Sequence, residues 1–493
     1  MFALLLALGA ALPSPEGLYH SLDPHSVSEQ LAFYELYPTS REGQMAGERV
    51  CQLLGITDPS SSVGLSTLPL AKLADLFAKQ RFDLGAKLSA EERRFIEGLA
   101  RHLPNRKLKG HGCWTEREVL ELSAEEVDLS RGLLISLMGE GAREEIASYE
   151  AGLDLMALQV LARAPLGSLP QEKIEALNHL IFKQLGLRFP PHSLYAKEID
   201  LYTFLPAILD SHRGVCLGVS TLYLCLAQRV GLPLEIITPP GHIYVRYREG
   251  ERVINIETTA RGIHVPTAVY KGATGAELKV RDMKETVGLT FFNQAGALWH
   301  NGKAKEAIAA YEKALLYTPD DPLTLELLAY CKWSAGEERE ARVVLQRAQK
   351  LGIVGRGADR TLAEDLLAGK VDGEGVAAIF QQVDEARESI VAKQERIGKV
   401  LARYPEFRAG WFHLAVTYLQ LSRHKEAQSA LTRCQELCPD DPTVAYYLAV
   451  LNFERLNYPN AWAQLKRAEG LAEGELPRPL KSLRLELKRT APE

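Results

Sequence analysis

From Gly288 onward the chain repeats itself every 34 residues, and that period constrains its fold more tightly than any other feature. Ala295, Gly302, Ala307, Tyr311, Ala314 and Pro319 mark one unit, and Ala329, Gly336, Ala341, Leu345 and Ala348 stand at the equivalent places of the next. Trp411, Ala415, Tyr418, Ala427, Leu431 and Pro439 open a second pair, which Ala449, Ala461, Leu465 and Ala468 complete. A unit of this length holds two short helices. Its small residues let them approach closely and its large ones fill the gap, but a single unit cannot bury its apolar face. The sequence therefore predicts stacked all-α arrays over 286–356 and 408–493, with a capping helix over 476–488. Residues 357–407 match poorly, with several glycines between Asp365 and Val383, and read as a degenerate repeat or a linker.

The period and its residue types resemble tetratricopeptide (TPR) repeats. The resemblance implies a groove that binds a protein or peptide partner; the alternative is a structural brace for whatever precedes the array.

Chemistry is concentrated over residues 213–260. Val219, Leu222, Tyr223, Leu226 and Val230 follow the period of one buried helical face, and Gly231 before Leu232 and Pro233 stops the helix. Cys216 then falls in the first turn, where unpaired N–H groups and the positive end of the helix dipole favour a thiolate. After Pro239, Pro240 and Gly241, residues 242–247 are β-branched and aromatic, and Glu249-Gly250 offers a turn into 253–257. This predicts a hairpin in which His242, at the start of one strand, can lie near Glu257, at the end of the other. A cysteine nucleophile, a histidine base and an orienting carboxylate form a recurrent set for acyl transfer. His212 and His264 are rival bases. Cys225, mid-helix, reads as core.

Arg-Gly-Val-Cys at 213–216, Pro-Gly-His at 240–242 and Ile-Glu-Thr-Thr at 256–259 resemble the Cys, His and acidic motifs of the transglutaminase-like superfamily, whose core is papain-like. The likeness is nearest to the bacterial SirB type, in which repeats often follow the core, and it extends upstream through 176–182. It implies Cys216 as nucleophile, His242 as base and Glu257 as orienting acid; with no acidic calcium loop in the sequence, no cofactor and no metal are expected. Glu257-Thr258-Thr259 stands where the superfamily more often has Asp-Pro-Thr, and many SirB-type relatives lack the cysteine. The expected architecture is α+β: a helical N-terminal region (16–164), a transglutaminase-like core (165–285) and the C-terminal TPR solenoid. The expected function is a cysteine-dependent enzyme acting on amide bonds of a protein or peptide, either hydrolase or transglutaminase-like. The alternative is a non-catalytic scaffold with a degenerate core.

A net charge of −5, from 58 basic and 63 acidic side chains, gives no footprint for nucleic acid. Seven scattered cysteines argue against a disulfide framework. Residues 2–12 are apolar and end in small residues, as in a secretory signal over 1–15, though without a basic start; a periplasmic or secreted location is weighed above a cytoplasmic one. No stretch is long enough to span a bilayer. Two capping boxes are expected, Ser89 with Glu92 and Ser123 with Glu126. The basic loop over 101–114, with Arg106, Lys107, Lys109, His111 and Cys113, is expected to be solvated rather than to bind metal or phosphate.

Overall fold

The computed structural model describes residues 14–55, 73–77, 88–191, 202–239, 241–271, 278–352, 361–384, 386–472 and 478–492. The apolar run at 2–12 lies outside them. Two compact units emerge: residues 1–237, 243–265 and 280–287 form the first, and residues 238–242, 266–279 and 288–493 the second.

In the first unit, a short helical turn at Pro15–His20 precedes α1 (Val27–Leu36), α2 (Arg41–Leu53) and α3 (Ala90–Ala100), and α3 carries the expected Ser89–Glu92 capping box. Ser123 and Glu126, by contrast, do not start an α-helix. Ala124–Glu126 is only a 3-10 turn, and α4 (Leu129–Met138) is capped instead by Asp128, whose carboxylate accepts from Arg131 N–H. An aspartate directly before an apolar run is as strong a cap as the serine upstream. Then come α5 (Arg143–Arg163) and α6 (Pro170–Asn178); α6 runs into a π-type turn, His179–Gln184. Further on are α7 (Leu205–Ser211) and α8 (Cys216–Arg229).

Helix α8 is the axis of this unit. Leu222, Tyr223, Leu224, Cys225 and Leu226 are at most 1% exposed, so the helix is enclosed on all sides, as an all-round apolar sequence requires. It packs against α4, α5 and α6. It also meets a five-stranded sheet of order β4-β3-β2-β1-β5, with β1 Glu235–Thr238, β2 Tyr244–Glu249, β3 Arg252–Glu257, β4 Ile263–His264 and β5 Lys279–Arg281. The hairpin forms as expected: Glu249 pairs with Arg252 around Gly250, whose φ is +58°. Its first strand starts at Tyr244 rather than His242. Gly241 (φ +71°) turns the chain there, and His242 N–H donates to Pro239 C=O at 3.2 Å.

The loop over 101–114 is solvated at Arg101, Lys107 and Lys109 but not at Arg106 and His111. It folds into two 3-10 turns, Pro104–Lys107 and Lys109–Gly112, that press onto the helices. Arg106 pairs with Asp154 of α5, and His111 Nδ1 lies 3.3 Å from Asp128 Oδ2. Asp154 also accepts from Arg229 Nε of α8 at 2.9 Å, and Arg131 of α4 donates to Glu150 of α5 at 2.9 Å. Opposite charges supplied by neighbouring helices draw Arg106 and His111 inward, while Lys107 and Lys109 stay exposed. At the far end of α8, buried Lys173 of α6 donates to Val230 C=O at 3.0 Å, satisfying a terminal carbonyl.

The second unit contains α9 (Thr267–Lys271) and the repeats. Helices α10 (Met283–His300), α11 (Ala304–Tyr317), α12 (Pro322–Ser334) and α13 (Glu338–Leu351) hold the first pair. Helices α14 (Leu362–Leu367), α15 (Gly373–Phe380) and α16 (Arg387–Arg403) follow. Then come α17 (Arg408–Gln420), α18 (His424–Leu437), α19 (Pro442–Glu454) and α20 (Tyr458–Leu471), and last α21 (Arg478–Thr490). The small residues of the repeat are buried at helix crossings: Ala295, Ala307, Ala329, Ala341, Ala415, Ala427, Ala449 and Ala461 are all 0% exposed. One apolar core runs from Ala329 to Leu451 and includes Leu366, Val376, Ile397 and Phe407, so α14–α16 stack within the array. Leu480, Leu483 and Leu487 of α21 cover the end against Ala461 and Leu465.

Candidate active site

Cys216 is the first residue of α8, and the preceding turn is pinned by backbone bonds. Gly214 N–H donates to Arg188 C=O at 3.1 Å, Arg188 N–H to His212 C=O at 3.1 Å, and Val215 N–H to Tyr202 C=O at 3.0 Å. Val215, at the N-cap, offers no capping side chain, and the first backbone bond within the helix is Val219 N–H to Val215 C=O at 2.9 Å. The N–H groups of Cys216, Leu217 and Gly218 thus have no partner within the helix, as at any helix start. The close packing of this turn depends on glycine. A Cβ on Gly218 would stand 2.3 Å from Tyr202 C=O and 2.6 Å from Ile208 Cδ1. Gly218→Ala is thus expected to lower stability by about 1–3 kcal/mol through overpacking, whereas Gly98→Ala, with nothing within 4 Å, is expected to be neutral or slightly stabilising; urea midpoints compare them.

Glu257 ends β3, is 6% exposed, and its Oε1 accepts from Thr259 N–H at 3.0 Å and Thr259 Oγ1–H at 2.6 Å. The next residue, Thr258, shares a 3.1 Å hydroxyl hydrogen bond with Ser220, one turn along α8 from Cys216. The carboxylate-bearing turn is thereby fixed to the thiol-bearing helix. Val245 pairs with Ile256, so continuing the register brings Tyr244 across from Glu257. His242 is half-buried in the loop before β2, and its ring stacks on Tyr270 with centroids 6.1 Å apart and planes 14° from parallel. Cys216 and Glu257 belong to the first compact unit and His242 to the second. Of the rivals, His212 adopts φ +53° at the end of α7, and His264 Nδ1 lies 3.1 Å from Asn255 N–H. Burial pushes the His212 imidazole below its ordinary value.

Two supports carry no signal in the residue pattern. Tyr223 Oη–H donates to Asn178 Oδ1 at 3.1 Å, and Asn178 Nδ2–H donates to Gly262 C=O at 3.1 Å, so α6 holds the chain just past Glu257. Asn178 lies within the upstream motif, yet only the fold reveals what it holds. Ser220 and Thr258 are equally silent, because a buried hydroxyl pair leaves no periodic trace.

His111, Asp128 and Glu150 each bring a potential ligand atom within 4.8 Å of the others. Their lone pairs are already engaged: Arg131 holds Glu150, while Asn105 and Ser130 donate to Asp128 at 3.0 and 2.8 Å. Burial alone would raise the Asp128 carboxyl, but the His111 bond, the Arg229 charge and these donors hold it well below the usual carboxylate range. Three guanidinium groups around the cluster disfavour a further cation, so it is an ion-pair network rather than a metal centre. A cleft of about 610 Å³ among Arg163, Glu172, Glu175, His179, Lys183 and Arg261 is lined by none of Cys216, His242 and Glu257.

Residues 147–279 match the transglutaminase-like superfamily, and residues 298–351 and 409–441 match tetratricopeptide repeats. The chain therefore carries a transglutaminase-like α+β domain followed by a TPR solenoid. F-box only protein 21 of Mus musculus is 26% identical over 116 residues, covering 23% of this chain and 17% of that protein. UPF0162 protein PM0557 of Pasteurella multocida (strain Pm70) is 25% identical over 161 residues, covering 30% of this chain and 60% of that protein. The chain thus spans less than a fifth of the length of F-box only protein 21. Among solved structures, TTC0263, a thermophilic TPR protein of Thermus thermophilus, is 17% identical with a TM-score of 0.21, covering 41% of this chain and 97% of that one.

Proposed function

We propose that the transglutaminase-like domain is a cysteine-dependent acyl-transfer centre acting on an amide bond of a protein or peptide, and that the repeats bind the protein partner. The Cys216 thiolate attacks the amide carbonyl carbon, and the developing oxyanion takes hydrogen bonds from N–H groups at the start of α8. His242 passes the thiol proton to the leaving amine, Glu257 orients His242, and a thioester remains on Cys216. Water or a primary amine then attacks the thioester, giving up its proton through His242 to the departing sulfur. Water yields hydrolysis and an amine yields transamidation. The observation that carries this reading is the partly exposed Cys216 at an uncapped helix start, tied through Ser220 and Thr258 to the turn that bears Glu257.

Alkylation by iodoacetamide near pH 7.5, followed by peptide mapping, tests it. Burial pushes up the thiols of Cys51, Cys113, Cys225 and Cys438, and lifts Cys331 and Cys434 to about 12. A thiol at about 12 is only about one part in 10⁴ to 10⁵ thiolate under these conditions, and the thiolate is the nucleophile. Labelling is expected to concentrate on Cys216 and to fall at least about tenfold in His242→Ala. Labelling of Cys216 no faster than of Cys438, the other partly exposed cysteine, would leave a non-catalytic scaffold as the better description.

A further inference from the structure

Two arginines stand side by side on the turn that leads into Cys216. Arg188 forms a parallel β-bridge with Arg213, closed by Arg188 N–H to His212 C=O and Gly214 N–H to Arg188 C=O, both at 3.1 Å. Bridge partners on parallel segments lie about 4.8 Å apart and send their side chains to the same face. Arg188 is exposed and Arg213 partly so, and neither guanidinium has an ion pair or hydrogen bond with any described residue. The acid nearest to them in sequence, Asp210, accepts from Tyr149 Oη–H at 2.9 Å. Two like charges held in register repel each other, and an anion placed between them relieves that repulsion.

We propose that Arg188 and Arg213 form a subsite selecting substrates that carry an acidic side chain within about three residues of the attacked amide. This rests on the reading of Cys216 as the nucleophile. Arg213 precedes Cys216 by three residues, so their Cα atoms are at most about 11 Å apart. An extended peptide advances about 3.4 Å per residue. A substrate whose amide reaches the Cys216 sulfur therefore brings a side chain two or three residues away up to the two guanidinium groups. Their planar forks of N–H donors match a carboxylate, and the positive end of the α8 dipole acts in the same direction. Arg188, Arg213 and Cys216 all belong to the first compact unit.

The test uses the full chain and compares alkylation of Cys216 by iodoacetate, an anion, with alkylation by neutral iodoacetamide. Both lose iodide to the same thiolate, so a change in thiol ionisation affects both alike and their rate ratio reports charge recognition. In the double variant Arg188→Gln with Arg213→Gln the iodoacetate-to-iodoacetamide ratio is expected to fall about two- to fivefold at low salt, and the difference from wild type to shrink in about 0.5 M salt. Arg188→Gln alone, at an exposed side chain, is expected to give a smaller fall, and Arg188→Lys with Arg213→Lys to keep the ratio. A blocked tripeptide with glutamine between two glutamates is expected to protect Cys216 at a concentration at least about threefold lower than its lysine-flanked counterpart, a preference lost in the double glutamine variant. Buried Cys225 must stay unlabelled throughout, which separates a lost charge from a lost fold. An unchanged ratio, or equal protection by the two peptides, overturns this inference while Cys216 remains selectively labelled by iodoacetamide. Labelling of Cys216 no faster than of Cys438 overturns the assignment of the nucleophile, and the inference with it.

Discussion

Asp154→Ala is expected to cost the first compact unit about 3–5 kcal/mol, because it takes from a fully enclosed guanidinium the carboxylate that accepts from its Nε. Arg229 is 0% exposed, and Asp154 Oδ1 accepts from its Nε at 2.9 Å while Asp154 also pairs with Arg106. Arg106 sits closer to the surface and can find water; Arg229 cannot. The substitutions should therefore rank unequally. Arg229→Met removes the trapped charge, leaves Asp154 its second partner, and is expected to cost less than Asp154→Ala. The double variant Asp154→Leu with Arg229→Met should recover much of the loss, because two apolar groups replace a desolvated pair. Urea unfolding checks the order, and Cys225 supplies an internal probe. Its carbonyl accepts from Arg229 Nη1 at 3.2 Å and burial pushes its thiol up, so Asp154→Ala should expose it to iodoacetamide under conditions that leave it inert in wild type. Equal stability for Asp154→Ala and Arg229→Met would show that this network is better hydrated than its geometry implies.

That network marks the limit of what a residue pattern can tell in advance. Periodicity locates α8 because its stop at Gly231 and its apolar face are local properties, and the hairpin because Glu249-Gly250 is a local turn. The 101–114 loop defeats a local reading at Arg106 and His111, whose partners Asp154 and Asp128 enter from other helices and have no fixed spacing from it. The same limit applies to α4: Asp128 caps it five residues beyond the expected Ser123. In the repeats the small residues are legible, but their turns less so. Gly302 and Gly336 take the left-handed conformation expected of glycine, whereas Ser422 (φ +56°) and Leu456 (φ +61°) hold it at the equivalent places without glycine's freedom.

Legibility at the candidate site divides the same way. Cys216 and Glu257 are readable from where they fall in a helix and a strand, and both stand at those element ends. The residues that hold them, Asn178, Ser220 and Thr258, act through single hydrogen bonds across long sequence separations. His242 is intermediate. Its strand is legible, but the turn at Gly241 displaces the ring ahead of the strand, where neighbours rather than β geometry set its orientation. A strand-end histidine would have its direction fixed by the pleat; a loop histidine depends on a partner such as Tyr270.

Phe407→Ala is expected to cost about 3–5 kcal/mol and to split the array rather than loosen it evenly. Phe407 is 0% exposed, and its core neighbours come from both sides of the irregular segment, including Val400 and Leu401 before it and Leu414 and Ala415 after. Gly410 makes room for the ring: a Cβ there would come within 2.4 Å of its Cδ1. A polar clamp acts at the same junction. Asp365, 0% exposed, accepts from Arg408 N–H at 3.0 Å and Arg408 Nε–H at 2.9 Å, so an acid 43 residues upstream serves the start of α17. In a stack stabilised by nearest neighbours, losing the ring removes the interface between α14–α16 and α17–α20 while leaving the alanine crossings inside each pair intact. Hydrogen exchange should then show α17 and α18 opening independently of α12 and α13 in the variant, and together with them in wild type. Uniform loss of protection from α10 to α21 would mean that the array behaves as one cooperative body in which no single interface is a weak point.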